Sequence, residues 1–160
     1  MMRPLFAAML ALPLLGNADP DLAGIRGVID TFRVAIIAKD KAALERLPAT
    51  DTISFIASID PPTLARLRQR RPDAKRIFPS SYAEFVKGVV TDPTRQEEKF
   101  SNIRIHSDWA VATVWFDYSF LENGKVSNWG HESWGLVRTD DGWRISSIIY
   151  SIALPAPAKQ

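Results

Sequence analysis

The stretches WAVATVWFDYSF (residues 109–120), VSNWGHESWGLVRT (126–139) and WRISSIIYSI (143–152) decide the fold. Each is rich in β-branched and aromatic residues. Asn123-Gly124 and Asp140-Asp141-Gly142 separate them, and these residue types accept the positive φ that tight hairpins need. The three stretches therefore read as consecutive antiparallel strands, with the upstream chain laid over them as helices.

After Asp19-Pro20, with Asp21 as a candidate N-cap, Leu22, Ile25, Ile29, Phe32 and Ile36 recur at helical steps, so one helix face must be buried. Asp40 is placed to cap a second, short helix through Leu44 and Leu47 that Pro48 stops. Residues 50–59 predict a strand with Ile53, Phe55 and Ala57 on one side. Ser81-Tyr82-Ala83-Glu84 has capping-box spacing and opens a helix to about Val90 that buries Tyr82, Phe85, Val86 and Val89. Asp92-Pro93 ends it, and a strand over 97–105 leads into the three-strand core. Helices segregated over an antiparallel sheet make the class α+β.

Asp60-Pro61-Pro62 starts a short helix carrying Arg66, Arg68, Arg70 and Arg71, followed by Lys75 and Arg76 in a loop. Such a run suits acidic lipid headgroups or another anion. No aromatic residue interleaves the charges and Asp73 interrupts them, which favours a solvated insertion.

The chain of 160 residues is long enough for one domain, over 19–154. Its 20 basic and 18 acidic residues leave a net charge of +2, which implies no nucleic acid. With no cysteine, disulfides, thiolate metal sites and a cysteine nucleophile are excluded. His106 and His131 alone make a histidine-rich metal site unexpected, and neither metal nor organic cofactor is implied. Met1-Met2-Arg3, an apolar run over 5–15 and Gly16-Asn17-Ala18 have the form of a signal peptide cleaved after Ala18, so a periplasmic or secreted protein is expected. The run is shorter than the roughly 20 residues a membrane span needs. Residues 155–160, rich in Pro and Ala, are expected to be disordered.

A two-residue Asn123-Gly124 turn sets Phe120 opposite Ser127, Tyr118 opposite Trp129 and Phe116 opposite His131. A three-residue loop at 140–142 pairs Val137 with Ile145, Gly135 with Ser147 and Ser133 with Ile149. One face then collects Phe116, Tyr118, Phe120, Trp129, His131, Ser133, Ser147 and Ile149, the composition of a cavity. The other carries Trp115, Trp134, Leu136, Ile148 and Tyr150 with Asp117, Glu132 and Arg138, too apolar for water, and predicts a homodimer through this outer face. A single bulge would reverse the facing of every residue beyond it.

With Val114 to Phe120, Asn123-Gly124-Lys125, Trp134 to Arg138 and Asp141-Gly142-Trp143-Arg144-Ile145 in this element order, the chain resembles the nuclear transport factor 2-like superfamily. Within it, the chain resembles the small bacterial SnoaL-like and lumazine-binding-like proteins. The resemblance spans residues 21–152 and implies a cone-shaped curved sheet wrapped around N-terminal helices, leaving a pocket, usually in a dimer. That superfamily holds ketosteroid isomerases, scytalone dehydratases, polyketide cyclases and members without known activity, and no catalytic set is carried over from any of them.

On the cavity face, His131 is the candidate general base and Tyr118 the candidate donor to a developing enolate oxygen; the alternative is that both are satisfied in a core. Asp117 is the competing base if the facing is reversed, when Glu132 would join it as a carboxylate pair. Phe55, Tyr82 and Phe85 are candidates for the floor and mouth, or plain core. The expected function is an exported module that binds a small apolar or aromatic molecule without turnover. The alternatives are a cofactor-free isomerase, dehydratase or cyclase using His131, and a dimeric adaptor whose pocket is filled by its own side chains.

Overall fold

The computed structural model describes residues 20–156, so the expected signal peptide and residues 157–160 of the tail lie outside the described residues. α1 (Pro20–Ala38) begins two residues earlier than an Asp21 cap would place it, which puts Asp21 in its first turn. It buries Ile25, Ile29, Phe32 and Ile36 of the expected stripe, together with Val28 and Ala35, while Leu22 at the start of that stripe is exposed. α2 (Lys41–Glu45) is capped by Asp40, whose carboxylate accepts from the Ala43 amide at 2.9 Å. α3 (Pro61–Arg70) follows the Asp60 cap. α4 (Tyr82–Thr91) opens on a complete capping box, the Ser81 hydroxyl accepting from the Glu84 amide while the Glu84 carboxylate accepts from the Ser81 amide, both at 3.1 Å.

The strands are β1 (Ser54–Ile59), β2 (Ile77–Ser80), β3 (Gln96–Ser107), β4 (Val111–Glu122), β5 (Lys125–Thr139) and β6 (Gly142–Ile152), in one curved sheet ordered β2-β1-β6-β5-β4-β3. The class is α+β as expected, with two features added. β2 is a short edge strand, and β1 joins β6 in parallel, so the sheet is mixed. α1 packs on β3 and β6, and its Phe32 ring stacks on Phe85 of α4 and lies edge-on to Trp134 of β5. The core between helices and sheet is therefore aromatic at its centre.

Both hairpin turns have the backbone their residues imply: Asn123 (φ 49°) and Gly124 (φ 78°) make a two-residue turn between Glu122 and Lys125, and Gly142 sits at φ 105°. Two residues past the first turn the ladder slips. Leu121 pairs with Val126 but Phe120 pairs with Asn128, leaving Ser127 as an extra residue whose hydroxyl donates to the Phe120 carbonyl at 3.3 Å. That bulge reverses the facing of β5 relative to expectation. Phe116 lies opposite Glu132 and Asp117 opposite His131. The second turn is one residue tighter than expected, Thr139 pairing with Gly142, so Val137 pairs with Arg144 and not Ile145; a slip between Gly135 and Leu136 that leaves Ser146 extra then restores the Gly135–Ser147 and Ser133–Ile149 pairs.

Candidate functional site

Because β4 keeps its expected facing and β5 does not, the inner face carries Phe116, Tyr118 and Phe120 from β4 but Glu132 and Trp134 from β5. β3 adds Glu98 and Phe100, paired with Phe120 and Tyr118. β6 adds Ile148 and Tyr150, and β1 adds Phe55. Between these strands and α1 and α4 lies a cavity of about 170 Å³. Phe32, Phe55, Phe85, Tyr118, Phe120, Ile148 and Tyr150 supply its apolar and aromatic wall, and Glu98, Asn128 and Glu132 its polar groups.

The two glutamates set the chemistry. Glu98 is 4% exposed and Glu132 6% exposed, and the carboxyls are hydrogen-bonded to each other. Burial pushes Glu98 well above the usual carboxyl range, and the neighbouring Glu132 charge and hydrogen bond push the same way. Burial also raises Glu132, to about 7, against the opposing hydrogen bonds from the Trp134 indole N–H, 2.5 Å from Oε2, and from Glu98. Burial favours the neutral form of both carboxyls, and charging the two together in so apolar a cavity is more costly still.

Two tyrosines stand beside this pair. Tyr118 Oη lies 3.0 Å from both Asn128 Oδ1 and the Ser151 carbonyl, and burial followed by the Glu132 and Glu98 charges pushes its hydroxyl upward. Burial and the same charges push Tyr150 up to about 12. Both stay protonated donors at neutral pH. Tyr150 has no hydrogen-bond partner among the described residues, so its hydroxyl is free for a guest.

Of the residues expected at the site, Phe55, Phe85, Tyr118 and Phe120 line the cavity. Tyr82 is packed behind Phe55 and Phe85 and donates to the Leu44 carbonyl at 2.9 Å. Phe116 is wholly buried against Phe100 and Trp134. The others need correction: Trp129, His131, Ser133, Ser147 and Ile149 lie on the outer face, because the Ser127 bulge inverts β5 and pairing transmits the inversion to β6. Conversely Trp134, Leu136, Ile148 and Glu132, expected outside, form the core and cavity wall.

Outside, His131 Nδ1 meets Asp117 Oδ1 at 2.7 Å, and its ring stacks on Trp115 at 5.6 Å. Asn102 Nδ2 donates to the other Asp117 oxygen at 2.6 Å, and this bond, then the one with His131, holds the Asp117 carboxyl below its ordinary range. Neither group reaches the cavity. His131→Ala should therefore leave cavity binding and any turnover unchanged and alter stability by less than about 1 kcal/mol, as for other exposed pairs, measured by urea unfolding.

Sequence reasoning missed Glu98, Asn128 and Tyr150. The one available signal was alternation: Gln96, Glu98 and Phe100 share a face, and so do Glu132 and Trp134. Among the described residues no group of three or more histidine and carboxylate side chains is clustered as a metal site.

N-terminal helices packed on a curved, unclosed six-stranded sheet are the nuclear transport factor 2-like fold. The chain belongs to the SnoaL-like domain family, which matches residues 25–155. Solved structures share the fold. A candidate dehydratase of the NTF2-like family from Streptomyces avermitilis is 15% identical, with TM-score 0.61, covering 86% of this chain and 99% of its own. A cystatin-like protein of unknown function from Nostoc punctiforme is 11% identical, with TM-score 0.60 and coverages of 89% and 98%. A candidate aromatic ring hydroxylase from Novosphingobium aromaticivorans is 15% identical, with TM-score 0.57 and coverages of 85% and 91%. No curated protein matches the sequence.

Proposed function

We propose that the protein binds a small uncharged carbonyl compound in this cavity and moves a proton on it, without an organic cofactor, as an isomerase or dehydratase does. The observation that carries the reading is the pair of buried carboxyls, Glu98 and Glu132, lining an aromatic pocket that pushes both above the usual carboxyl range. Ionised Glu132 takes the proton α to the carbonyl. The electrons of that C–H bond form a C–C double bond, and charge moves to the carbonyl oxygen. Tyr150 donates to that oxygen, Glu98 stays beside Glu132, and Glu132 returns the proton at another carbon or to a leaving hydroxyl. The base is thus Glu132, and His131 has no part in it.

Size limits the guest. A cavity of about 150 Å³ holds a benzene ring, so about 170 Å³ fits one ring or a short chain and not a polycycle. The Streptomyces avermitilis neighbour's name suits this class, although at 15% identity it supports the fold alone. Binding without turnover is a second reading, favoured because Glu132 already accepts from Trp134 and Glu98. Phenylacetone in D₂O separates the two. Proton transfer predicts accelerated loss of its α-C–H NMR signal and abolition of that acceleration in Glu132→Gln, with binding kept; protein that binds phenylacetone and exchanges no faster than buffer would leave only the binding reading.

We also propose that residues 1–18 are removed on export and that a second copy covers the outer face. The support for the second is the exposure there of Trp115 (47%), Trp129 (41%) and Ile149 (50%), an apolar surface poorly suited to water. Sedimentation at micromolar concentration reads this directly, and a monomer would overturn it.

A further inference from the structure

The basic segment joins with something its own sequence lacks. Residues 66–76 hold six basic side chains and one acidic, a local charge of +5 in a chain of net +2, leaving −3 on the rest. α3 and the following turn bring these charges against β2, the free edge of the sheet, where Ile77 is 57% and Phe78 56% exposed. Leu67, Arg71, Lys75, Ile77 and Phe78, with Asp73, line one shallow groove. The base is firmly built: Arg66 donates to the Leu154 carbonyl at 2.6 Å, Arg68 to Ala74 at 3.1 Å and Arg76 to Ile59 at 3.3 Å. Arg70, Arg71 and Lys75 remain exposed beside them.

We infer that this edge docks on an anionic phospholipid bilayer, with Ile77 and Phe78 entering the interface and Arg70, Arg71 and Lys75 meeting headgroup phosphates. Two features choose a bilayer over a peptide strand added to the same edge. Pro79 lacks the N–H that strand addition would use, within a strand of only four residues. An exposed aliphatic and an exposed aromatic side chain rimmed by cations match the layered polarity of a lipid interface, apolar below and negative above. None of this touches the cavity, so the inference stands apart from the acid–base reading.

The test is vesicle co-sedimentation of the full chain, comparing phosphatidylglycerol-containing with pure phosphatidylcholine vesicles. The N-terminal stretch with Arg3 and its apolar run is the same in parent and variants, so the change between them is what counts. The expected preference for anionic vesicles is about a hundredfold, from three exposed cations at about fivefold each, and weakens with salt. Arg71→Gln with Lys75→Gln should cut it by roughly twentyfold, at about fivefold per cation. Ile77→Ser with Phe78→Ser should cut anionic binding about tenfold or more with the cations intact. All four positions are exposed, so melting temperatures should be unchanged and would reveal a misfolded variant. Equal binding to both vesicle types, insensitivity to either pair of substitutions, or displacement by polyglutamate from vesicles carrying the serine variant as readily as from the parent would overturn the inference.

Discussion

Replacing Glu98 and Glu132 together by glutamine should raise the melting temperature by about 5–10 °C at about pH 8 and leave it nearly unchanged near pH 4.5. The folded protein holds protons that the unfolded chain releases at the ordinary carboxyl value. Between about 4.5 and 7 the unfolded state therefore binds fewer protons than the native state, and stability falls as pH rises. It is fully present below the unfolded value and lost through the folded one, Glu132 contributing near pH 7 and Glu98 acting in the same direction. A rise of Glu132 to about 7 corresponds to roughly 3 kcal/mol at 1.36 kcal/mol per unit. That matches the shift in melting temperature for a domain of this size. Glutamine keeps the shape, accepts from the Trp134 indole and donates across the pair, so the variant loses the charge and not the packing. Gained stability with lost proton transfer is the trade expected where a strained group does chemistry. A variant no more stable than the parent at either pH would mean the two carboxyls are ordinary.

Trp134 should give the largest loss. It is wholly buried, with Phe32, Phe116 and Phe100 at 4.9, 5.1 and 5.9 Å in edge-on contact. Trp134→Ala empties that centre and should cost about 3–5 kcal/mol in urea unfolding, a large share of the roughly 5–15 kcal/mol that holds a domain folded. Trp134→Phe fills most of the space but removes the N–H that Glu132 accepts. Its cost should depend on pH: about 1–2 kcal/mol more at about pH 8, where Glu132 is charged and left short of a donor, than near pH 4.5. The lost bond was one that lowered Glu132, so its carboxyl should also rise further. Equal costs at both pH values would separate Trp134 from the acid pair.

Local chemistry made much of the fold legible. The α1 stripe, the Asp40 and Ser81 caps and the Asn123-Gly124 turn are all decided by residues within a few positions of one another. What escaped is decided elsewhere. The Ser127 bulge contains no glycine and follows a turn that was read correctly, yet it exchanges His131 for Glu132 at the cavity. The parallel β1–β6 pair joins segments some 90 positions apart, which no local pattern can announce. β2 is four residues beside Lys75 and Arg76 and contains Pro79, so it reads as loop. Glu98 sits in Gln96-Glu97-Glu98-Lys99, which has the composition of a solvated edge. Only the closing of β3 over α1 buries it.

The most direct measurement is carboxyl-carbon NMR of protein labelled at its six glutamates, titrated across pH 3–9, with Glu98→Gln and Glu132→Gln for assignment. The structure predicts that Glu132 reaches its midpoint near pH 7 and that Glu98 titrates well above the usual carboxyl range. All six titrating together near pH 4.5 would contradict it.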